Sequence, residues 1–416
     1  MNFHFPPSPI MITLMMATAL SACSSGHVNV NTPGNIDGSQ NKPSQKVGSD
    51  PKNQSPGSSG PQPMSSASTI SFEILPTTDQ GDMIKSEKIG LVLANSKNAQ
   101  PVKIAANISR SGSINGSFVS FQNSLIYIRK VDDLHDAIAL LKMTDQKSQN
   151  LAISDVPVKS LDISTSGGTI FWLDVKGHVY SLTRKTLAGK STSFWMNTRV
   201  RLPAKFNASA IHASGHETLI VQGSDQKSQG LTLVYSIQNR ALKFERSEHA
   251  IDISISHSGS VEAVIEDDLT IEKLFITAIN LPSSAQGNMK VIAAGMPGTI
   301  HQPSWSMNDN LLAYWIKTDT EAADVRIANS DSGTSIKIAS ISPVSTMTDV
   351  ICPSWGKSDD LFFGGIGLNL RHSILKASRR NQVWRVGVFA RPEDDSSAYI
   401  CPHASVPAST NGGGEL

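Results

Sequence analysis

Three of the chain's pairs of adjacent aspartates, and one stretch with two histidines, have residue types that fit acid–base or metal chemistry. The pairs are Asp267-Asp268, Asp359-Asp360 and Asp394-Asp395, and the stretch holds His212, His216 and Glu217. Glycosidases place two carboxylates on either side of one bond, but adjacent strand residues point to opposite faces, so these pairs are interpreted as solvated turns. On a helix the two histidines would share a metal. Here their spacing falls on a strand and its turn, which favours an ordinary polar turn.

Other catalytic and cofactor motifs are missing from the chain. There is no G-x-S-x-G nucleophile elbow, P-loop, dinucleotide fingerprint or EF-hand loop. The three cysteines match no zinc-binding spacing. We therefore expect no enzymatic activity, no cofactor and no metal site.

Basic residues are concentrated near the C-terminus. Either an anionic ligand or a partner could bind there, but a solvated edge is the favoured interpretation. The residues are Arg371, His372, Lys376, Arg379, Arg380, Arg385 and Arg391. Over the chain of 416 residues, 36 basic and 35 acidic side chains give a net charge of +1, which argues against a nucleic-acid-binding protein.

The N-terminus has the pattern of an export signal. Residues 10–20 form an apolar run that is too short to span a bilayer, and Leu20-Ser21-Ala22-Cys23 follows it. This sequence resembles the lipobox of bacterial lipoproteins, which implies a signal peptide over residues 1–22 and a lipidated Cys23. The first nine residues contain no Lys or Arg, which departs from the usual pattern. A buried apolar segment with a chance cysteine is the alternative.

Residues 23–68 are rich in Ser, Gly, Pro, Asn and Gln, with few apolar residues. Such a segment cannot bury enough surface to offset its ordering entropy, so it is predicted to be a disordered tether. Together with the lipobox it predicts a lipid-anchored envelope protein. Ser24, rather than Asp, after the cysteine favours the outer membrane facing the periplasm, with the inner membrane or cell surface as alternatives.

From residue 69 onward the chain repeats short apolar runs separated by tight polar turns. Taking the middle residue of each turn, the spacings are 44, 48, 44, 50 and 50 residues, and the middle residues are Asn123, Gly167, Gly215, Gly259, Asp309 and Asp359. Gly, Asn and Asp tolerate the positive φ that such turns need. A four-stranded unit at this period is a propeller blade, so the chain is predicted to be an all-β propeller over residues 69–405 with a disordered tail over residues 406–416.

Two of the repeats carry a clearer motif. Residues 301–315 read HQPSWSMNDNLLAYW, and residues 351–363 read ICPSWGKSDDLFF. Both resemble the TolB-type propeller repeat, although Asn308-Asp309 and Ser358-Asp359 stand where that family has Asp-Gly. Trp305 and Trp355 are expected to pack between blades rather than to bind a ligand. Residues 330–334 also resemble the Asp-box turn of sialidase propellers, without its Trp, and are interpreted as a loop between two outer strands.

The ends of the repeat region predict how the ring closes. Three strands are expected over residues 70–75, 88–94 and 101–106, and residues 399–402 echo the inner strand that contains Cys352. One C-terminal and three N-terminal strands would form a shared closing blade, giving seven blades, with six as the alternative. Cys352 and Cys401 would then lie on neighbouring inner strands and could form a disulfide, whereas two buried thiols are the alternative.

These observations favour a membrane-anchored scaffold that binds an envelope protein and no nucleic acid. That function predicts an apolar or aromatic patch on one loop face of the propeller. A propeller lyase or glycosidase is the second hypothesis and would need titratable groups that converge at the central funnel. A receptor for a glycan or small ligand is the third and would show a deep pocket.

Overall fold

The computed structural model describes part of the chain. The described residues are 69–75, 88–93, 102–106, 118–121, 124–132, 134–142, 147–164, 169–186, 193–214, 218–225, 230–237, 241–247, 250–267, 270–279, 289–318, 322–341, 351–356, 359–366, 372–390 and 399–404. The predicted signal peptide, tether and C-terminal tail lie outside them. Every described residue belongs to one compact unit, Pro63–Leu416.

The described residues form 28 strands in seven four-stranded antiparallel sheets, numbered here as blades 1–7. Blade 1 contains β4 (Phe118–Phe121), β5 (Ser124–Lys130), β6 (Asp136–Lys142) and β7 (Ser148–Ser154). Blade 2 contains β8 (Val158–Ser164), β9 (Thr169–Asp174), β10 (Val179–Thr186) and β11 (Ser193–Arg199). Blade 3 contains β12 (Asn207–Ser214), β13 (Thr218–Ser224), β14 (Gly230–Ser236) and β15 (Ala241–Ser247).

The remaining blades follow the same order. Blade 4 contains β16 (Ala250–Ile255), β17 (Val261–Asp267), β18 (Glu272–Ala278) and β19 (Lys290–Gly295). Blade 5 contains β20 (Ile300–Trp305), β21 (Leu311–Lys317), β22 (Ala323–Asn329) and β23 (Ser335–Ile341). Blade 6 contains β24 (Ser354–Trp355), β25 (Leu361–Ile366), β26 (His372–Arg380) and β27 (Val383–Ala390). Blade 7 combines β28 (Tyr399–Ala404) with β1 (Thr69–Leu75), β2 (Lys88–Leu93) and β3 (Val102–Ala106).

The blades form a closed ring. The first strand of each blade contacts the first strand of the next, from β4 through β8, β12, β16, β20 and β24 to β28, and β28 contacts β4. These first strands are therefore the inner strands of a seven-bladed propeller. The all-β fold and the predicted blade are confirmed.

The closing blade joins the two ends of the described chain. Strand β28 pairs antiparallel with β1, and Glu73 lies opposite Cys401. The predicted division into one C-terminal and three N-terminal strands agrees with this pairing. The pairing of β28 with β1 thus closes the ring through backbone hydrogen bonds.

The hydrophobic core lies between consecutive blades rather than in one central mass. Blades 1 and 2 share a cluster around Trp172, and blades 2 and 3 share one around Val200 and Tyr235. Blades 4 and 5 enclose Trp305, and blades 5 and 6 enclose Trp355. The second and third strands are thus covered on both faces, which is why they read as continuous apolar runs.

The tight turns adopt the backbone conformation that their residue types predict. Gly259, Asp309 and Asp359 have φ values of 71°, 60° and 54°, in the left-handed region. Each lies in the turn between the first and second strands of its blade. Gly and Asp tolerate this region better than β-branched residues, so the repeated turn is encoded locally. None of the described residues belongs to a helix that could cross a membrane.

Candidate functional site

The connections between strands divide into two opposite faces of the propeller. Because consecutive strands are antiparallel, the loops from second to third strand and those from each blade to the next share one face, here called the upper face. The turns between first and second strands and between third and fourth strands form the lower face. Each face gathers residues that are far apart in the sequence.

Exposed large apolar side chains in the described loops are confined to the upper face. Leu134 is 69% and Met296 is 63% exposed, and Val131, Val175 and Ile271 are between 44% and 47% exposed. The other exposed apolar residues lie on strands, mostly the fourth strands of the blades. These residues lie in loops of blades 1, 2 and 4, at the same end of the strands.

The loop that carries Leu134 is held by one carboxylate. Asp132 Oδ1 accepts the backbone N–H groups of Leu134 and His135, both at 2.8 Å. The hydrogen bond from Leu134 is the main reason that the pKa of Asp132 lies below its usual 3.8. The carboxylate thus closes a local turn that holds the leucine in solvent.

The connection that contains Met296 is held by a buried carboxylate of blade 4. Glu272 Oε2, at the start of β18, accepts the N–H groups of Thr299 and Ile300 at 2.8 and 2.6 Å. Thr299 Oγ1 donates to the carbonyl of Met296 at 2.6 Å. Glu272 is buried, so these bonds satisfy its carboxylate and hold the loop between blades 4 and 5.

Two titratable residues converge on the inner strands of blades 2 and 3. Asp162 Oδ2 accepts the N–H of Ala213 at 2.8 Å, and its Oδ1 accepts the N–H of Ile163. Burial raises the pKa of Asp162 to about 6, although these hydrogen bonds and the nearby His212 act in the opposite direction. Burial also lowers the pKa of His212. Each group is therefore shifted towards its neutral form.

The histidine continues this network towards blade 4. His212 Nε2 donates to Gln222 Oε1 at 2.9 Å, and Gln222 Nε2 donates to the carbonyl of Ala250 at 3.3 Å. One chain of contacts thus links the inner strands of blades 2, 3 and 4. His216 and Glu217, which were considered with His212, lie outside the described residues.

The aspartate pairs do not form a two-carboxylate site among the described residues. Asp360 pairs with Lys376 at 2.7 Å, and Asp359 Oδ2 accepts the side-chain amide of Asn308 at 3.1 Å. Asp267 lies at the end of β17. Asp268, Asp394 and Asp395 lie outside the described residues.

The basic residues near the C-terminus and the turn at residues 330–334 were the other candidates from the sequence. Arg379, Arg380 and Arg385 are exposed on the two outermost strands of blade 6, as a solvated edge would be. His372 lies at the start of β26, while Arg371 and Arg391 lie outside the described residues. Residues 330–334 form the turn between β22 and β23, where Asn329 Oδ1 accepts two backbone N–H groups.

The two repeat tryptophans lie between blades. Trp305 Nε1 donates to the carbonyl of Ser254, and Trp355 Nε1 donates to that of Ser304, both at 2.9 Å. Each indole thus reaches from its own inner strand to that of the preceding blade. Both side chains are 2% exposed, which fits a packing role.

Of the two cysteines predicted to form a disulfide, the structure describes the side chain of Cys352. Cys352 is disulfide-bonded. Cys401 lies on β28. This strand packs against β24 and β25 of blade 6, and Cys352 lies just before β24. The side chain of Cys401 is not among those described, so the pairing of Cys352 with Cys401 stays a prediction, as does lipidation of Cys23. Among the described residues there is no cluster of three or more His, Cys, Asp or Glu that could hold a metal ion.

Sequence reasoning missed Asp162, Glu272 and the loop residues of the upper face. Asp162 and Glu272 are single acids in apolar strands, and their partners lie 51 and 27–28 residues away. Loops of the upper face alternate with turns of the lower face along the sequence, and this alternation was the signal that could have identified the upper loops. Exposed apolar residues such as Leu134 in polar loops could have been found by sorting loops according to face.

Comparison with known proteins identifies the fold but no family. No protein-family model matches the chain, and no curated protein matches it. A solved protein from Lactobacillus plantarum is similar over 81% of this chain and 99% of its own, with 12% identity and a TM-score of 0.50. TolB from Acinetobacter baumannii has 11% identity and a TM-score of 0.45, over 81% of this chain and 66% of its own.

A protein from Bacteroides fragilis named "putative 6-phosphogluconolactonase" is also similar. It has 10% identity and a TM-score of 0.47, over 82% of this chain and 99% of its own. The expectation of no enzymatic activity, drawn from missing motifs, was wrong, because proteins of similar fold include some that are named as enzymes. A propeller assembles its central residues from different blades, so a local motif search does not exclude catalysis. These likenesses show the fold alone, that of the β-propellers.

Proposed function

We propose that the protein is a propeller scaffold anchored in the bacterial envelope, which binds a partner protein through its upper face. The observation that carries the proposal is that, in the loops which the structure describes, all exposed large apolar side chains lie on that face. Leu134 and Met296 are the most exposed of them. Apolar side chains of this kind contribute to association when a partner removes them from water.

The rigidity of the upper loops supports the same function. Asp132 and Glu272 fix the backbone around Leu134 and Met296 through hydrogen bonds of 2.6–2.8 Å. A preformed surface loses less conformational entropy on binding than a mobile one. The partner is a protein that presents complementary apolar side chains.

Site-specific photo-cross-linking in cells tests the face. A photoreactive amino acid replaces Leu134 on the upper face and, as a matched control, Ser332 in an exposed turn of the lower face. We expect one discrete cross-linked protein from position 134 and none from position 332. Replacing Met296 with Glu should weaken that cross-link, since the charge would be buried in the interface. Equal cross-linking from both faces, or none from position 134, would contradict the proposal.

The membrane anchor requires a separate measurement. It rests on Leu20-Ser21-Ala22-Cys23 and on the composition of residues 23–68. Protein extracted from membranes should have a mass that begins at Cys23 and includes the lipid, and Cys23→Ala should abolish that modification. An unmodified chain that retains residues 1–22 would disprove the anchor and leave the cross-linking test of the upper face unaffected.

A second candidate function is a propeller lyase or glycosidase, favoured by the convergence of Asp162 and His212 on adjacent inner strands. A carboxyl group with a pKa of about 6 is protonated in part near neutral pH and can act as a general acid. Hydrolysis of 4-nitrophenyl glycosides tests it. Activity that Asp162→Asn abolishes and the exposed-site control Asp331→Asn retains would support this candidate, and absence of hydrolysis would disprove it for these substrates.

A further inference from the structure

A pocket of about 600 Å³ lies on the upper face at the junction of blades 2 and 3. It is formed by the turn between β9 and β10 and by the connection from β11 to β12. The lining residues are 176–178 and 199–206. This volume is in the range of sites that hold small organic ligands.

The lining of this pocket is strongly cationic. Lys176, Arg199, Arg201 and Lys205 contribute four positive charges, and the eleven lining residues include no carboxylate. Among the described residues, no ion pair is found to Lys176, Arg199 or Arg201. With a net charge of only +1 for the whole chain, this concentration of positive charge is local rather than general. Such a cleft attracts anions.

The first wall of the pocket is a preformed turn. Buried Asp174 accepts the N–H groups of Lys176 and His178 at 2.9 and 2.8 Å, and its Oδ2 lies 3.1 Å from His178 Nδ1. Gly177, with φ of +77°, packs so closely on β12 that a Cβ would lie 2.3 Å from Asn207 Oδ1. The carboxylate of Asp174 is therefore occupied by hydrogen bonds beneath the turn, whereas the side chain of Lys176 is exposed.

The second wall is also anchored. The N–H of Val200 donates to the carbonyl of Val179 at 2.8 Å, and Tyr235 Oη donates to the carbonyl of Arg201 at 3.0 Å. These bonds hold the backbone between two exposed guanidinium groups, those of Arg199 and Arg201. The backbone of Arg201 is thus fixed, while its side chain is exposed to solvent.

The floor of the pocket is apolar. Val200 is buried, and Leu202, Pro203 and Phe206 are partly buried in the same connection. Phe206 N–H donates to the carbonyl of Pro203 at 3.2 Å, and this turn holds Lys205 at a φ of 64°. A left-handed lysine is sparsely populated, and such positions are concentrated at ligand sites. Cationic and apolar surfaces thus meet within one pocket.

We propose that this pocket binds a small organic anion, with a carboxylate or phosphate group on an apolar body. Arg199 and Arg201 receive the oxyanion, since guanidinium groups bind such oxygens in bidentate fashion. Leu202 and Phe206 contact the apolar body. This site is independent of the apolar loops assigned to partner binding, because it is carried by different residues and a different ligand class.

Calorimetric titration of the full chain with phenyl phosphate, inorganic phosphate and phenol tests the proposal. We expect saturable binding of phenyl phosphate that weakens as salt is added, at least about 10-fold weaker binding of inorganic phosphate, and none of phenol. Arg199→Gln with Arg201→Gln should weaken phenyl phosphate binding by at least about 10-fold, since one charge-assisted contact corresponds to about that factor.

The matched control removes two charges elsewhere. Arg380→Gln with Arg385→Gln changes exposed arginines of blade 6 and should leave affinity within about 2-fold of the unmodified chain. Equal weakening by both double variants would overturn the proposal, because net charge alone would then govern binding. Absence of saturable binding of phenyl phosphate would overturn it as well, and inorganic phosphate binding as tightly would overturn the role of the apolar floor.

Discussion

Asp309 of blade 5 accepts the backbone N–H of His257 of blade 4 at 2.7 Å, from one lower-face turn to the next. Its second oxygen accepts the N–H of Ser258 at 2.9 Å. The relationship recurs one blade further on, where Asn308 donates to Asp359. Asp309 and Asp359 stand where the TolB-type repeat has Gly, and each of them joins its blade to the preceding one.

Replacing Asp309 with Ala should destabilise the propeller by about 2–3 kcal/mol, since two charge-assisted hydrogen bonds are lost. Burial alone would raise the pKa of Asp309, but the hydrogen bonds from His257 and Ser258 outweigh it and keep the pKa below 3.8. Urea unfolding measures the change. The control Asp331→Ala, in an exposed turn, should alter stability by less than about 0.5 kcal/mol, and a comparable loss in that control would contradict the assigned role.

The stability of the protein should depend on pH through Asp162. The pKa of Asp162 is about 6 in the folded state against an ordinary value of 3.8, so the folded state binds more protons between these two pH values. Stability from this group is therefore present below about pH 4 and is lost as pH rises through about 6, by at most about 3 kcal/mol. His212, with a lowered pKa, acts in the opposite direction, because it gains stability as pH rises through its unfolded value.

Unfolding free energies of the unmodified chain and of Asp162→Asn, measured from pH 4 to pH 7, isolate this contribution. We expect the destabilising effect of Asp162→Asn to shrink as pH rises, because the variant has no carboxylate to ionise inside the protein. A difference between the two proteins that stays constant across this range would show that the carboxyl group titrates normally.

The disulfide of Cys352 should stabilise the closure of the ring. If Cys401 is its partner, the bond encloses residues 352–401 and links blade 6 to the closing blade. Its reduction, or Cys401→Ser, should then lower the free energy of unfolding by about 2–4 kcal/mol. Peptide mapping without reduction identifies the partner directly. A free, alkylatable thiol at Cys352 in the unreduced protein would contradict the bond.

Ring closure could be predicted from the sequence, whereas the charged sites could not. The echo of Ile351-Cys352-Pro353 in residues 400–402 is a local pattern, and it sufficed to place β28 beside β1. The pKa of Asp162 is raised instead by burial, and Ala213 and His212 act in the opposite direction; only the packing of two blades brings these groups together. The basic pocket likewise joins residues 176–178 to residues 199–206 through blade packing. Such sites have no short motif, because their spacing is set by loop lengths that vary from blade to blade.

Gly177→Ala should destabilise the protein more than Gly298→Ala, although both glycines have a positive φ. The φ values are +77° and +73°, so the backbone strain of an alanine is similar at the two positions, about 1 kcal/mol. At Gly177 the added Cβ would also lie 2.3 Å from Asn207 Oδ1, whereas at Gly298 it would meet no atom within 4 Å. The turn beside the basic pocket would then have to move away from β12.

We expect Gly177→Ala to cost about 2–4 kcal/mol in urea unfolding and Gly298→Ala about 1 kcal/mol, the difference arising from this steric contact. Asn207→Ala should relieve part of the excess when combined with Gly177→Ala, because the clashing oxygen is then absent. Equal costs at both glycines, or no relief in the double variant, would show that the turn is not packed on Asn207. The pocket wall that this turn forms would then be less rigid than its hydrogen bonds to Asp174 indicate.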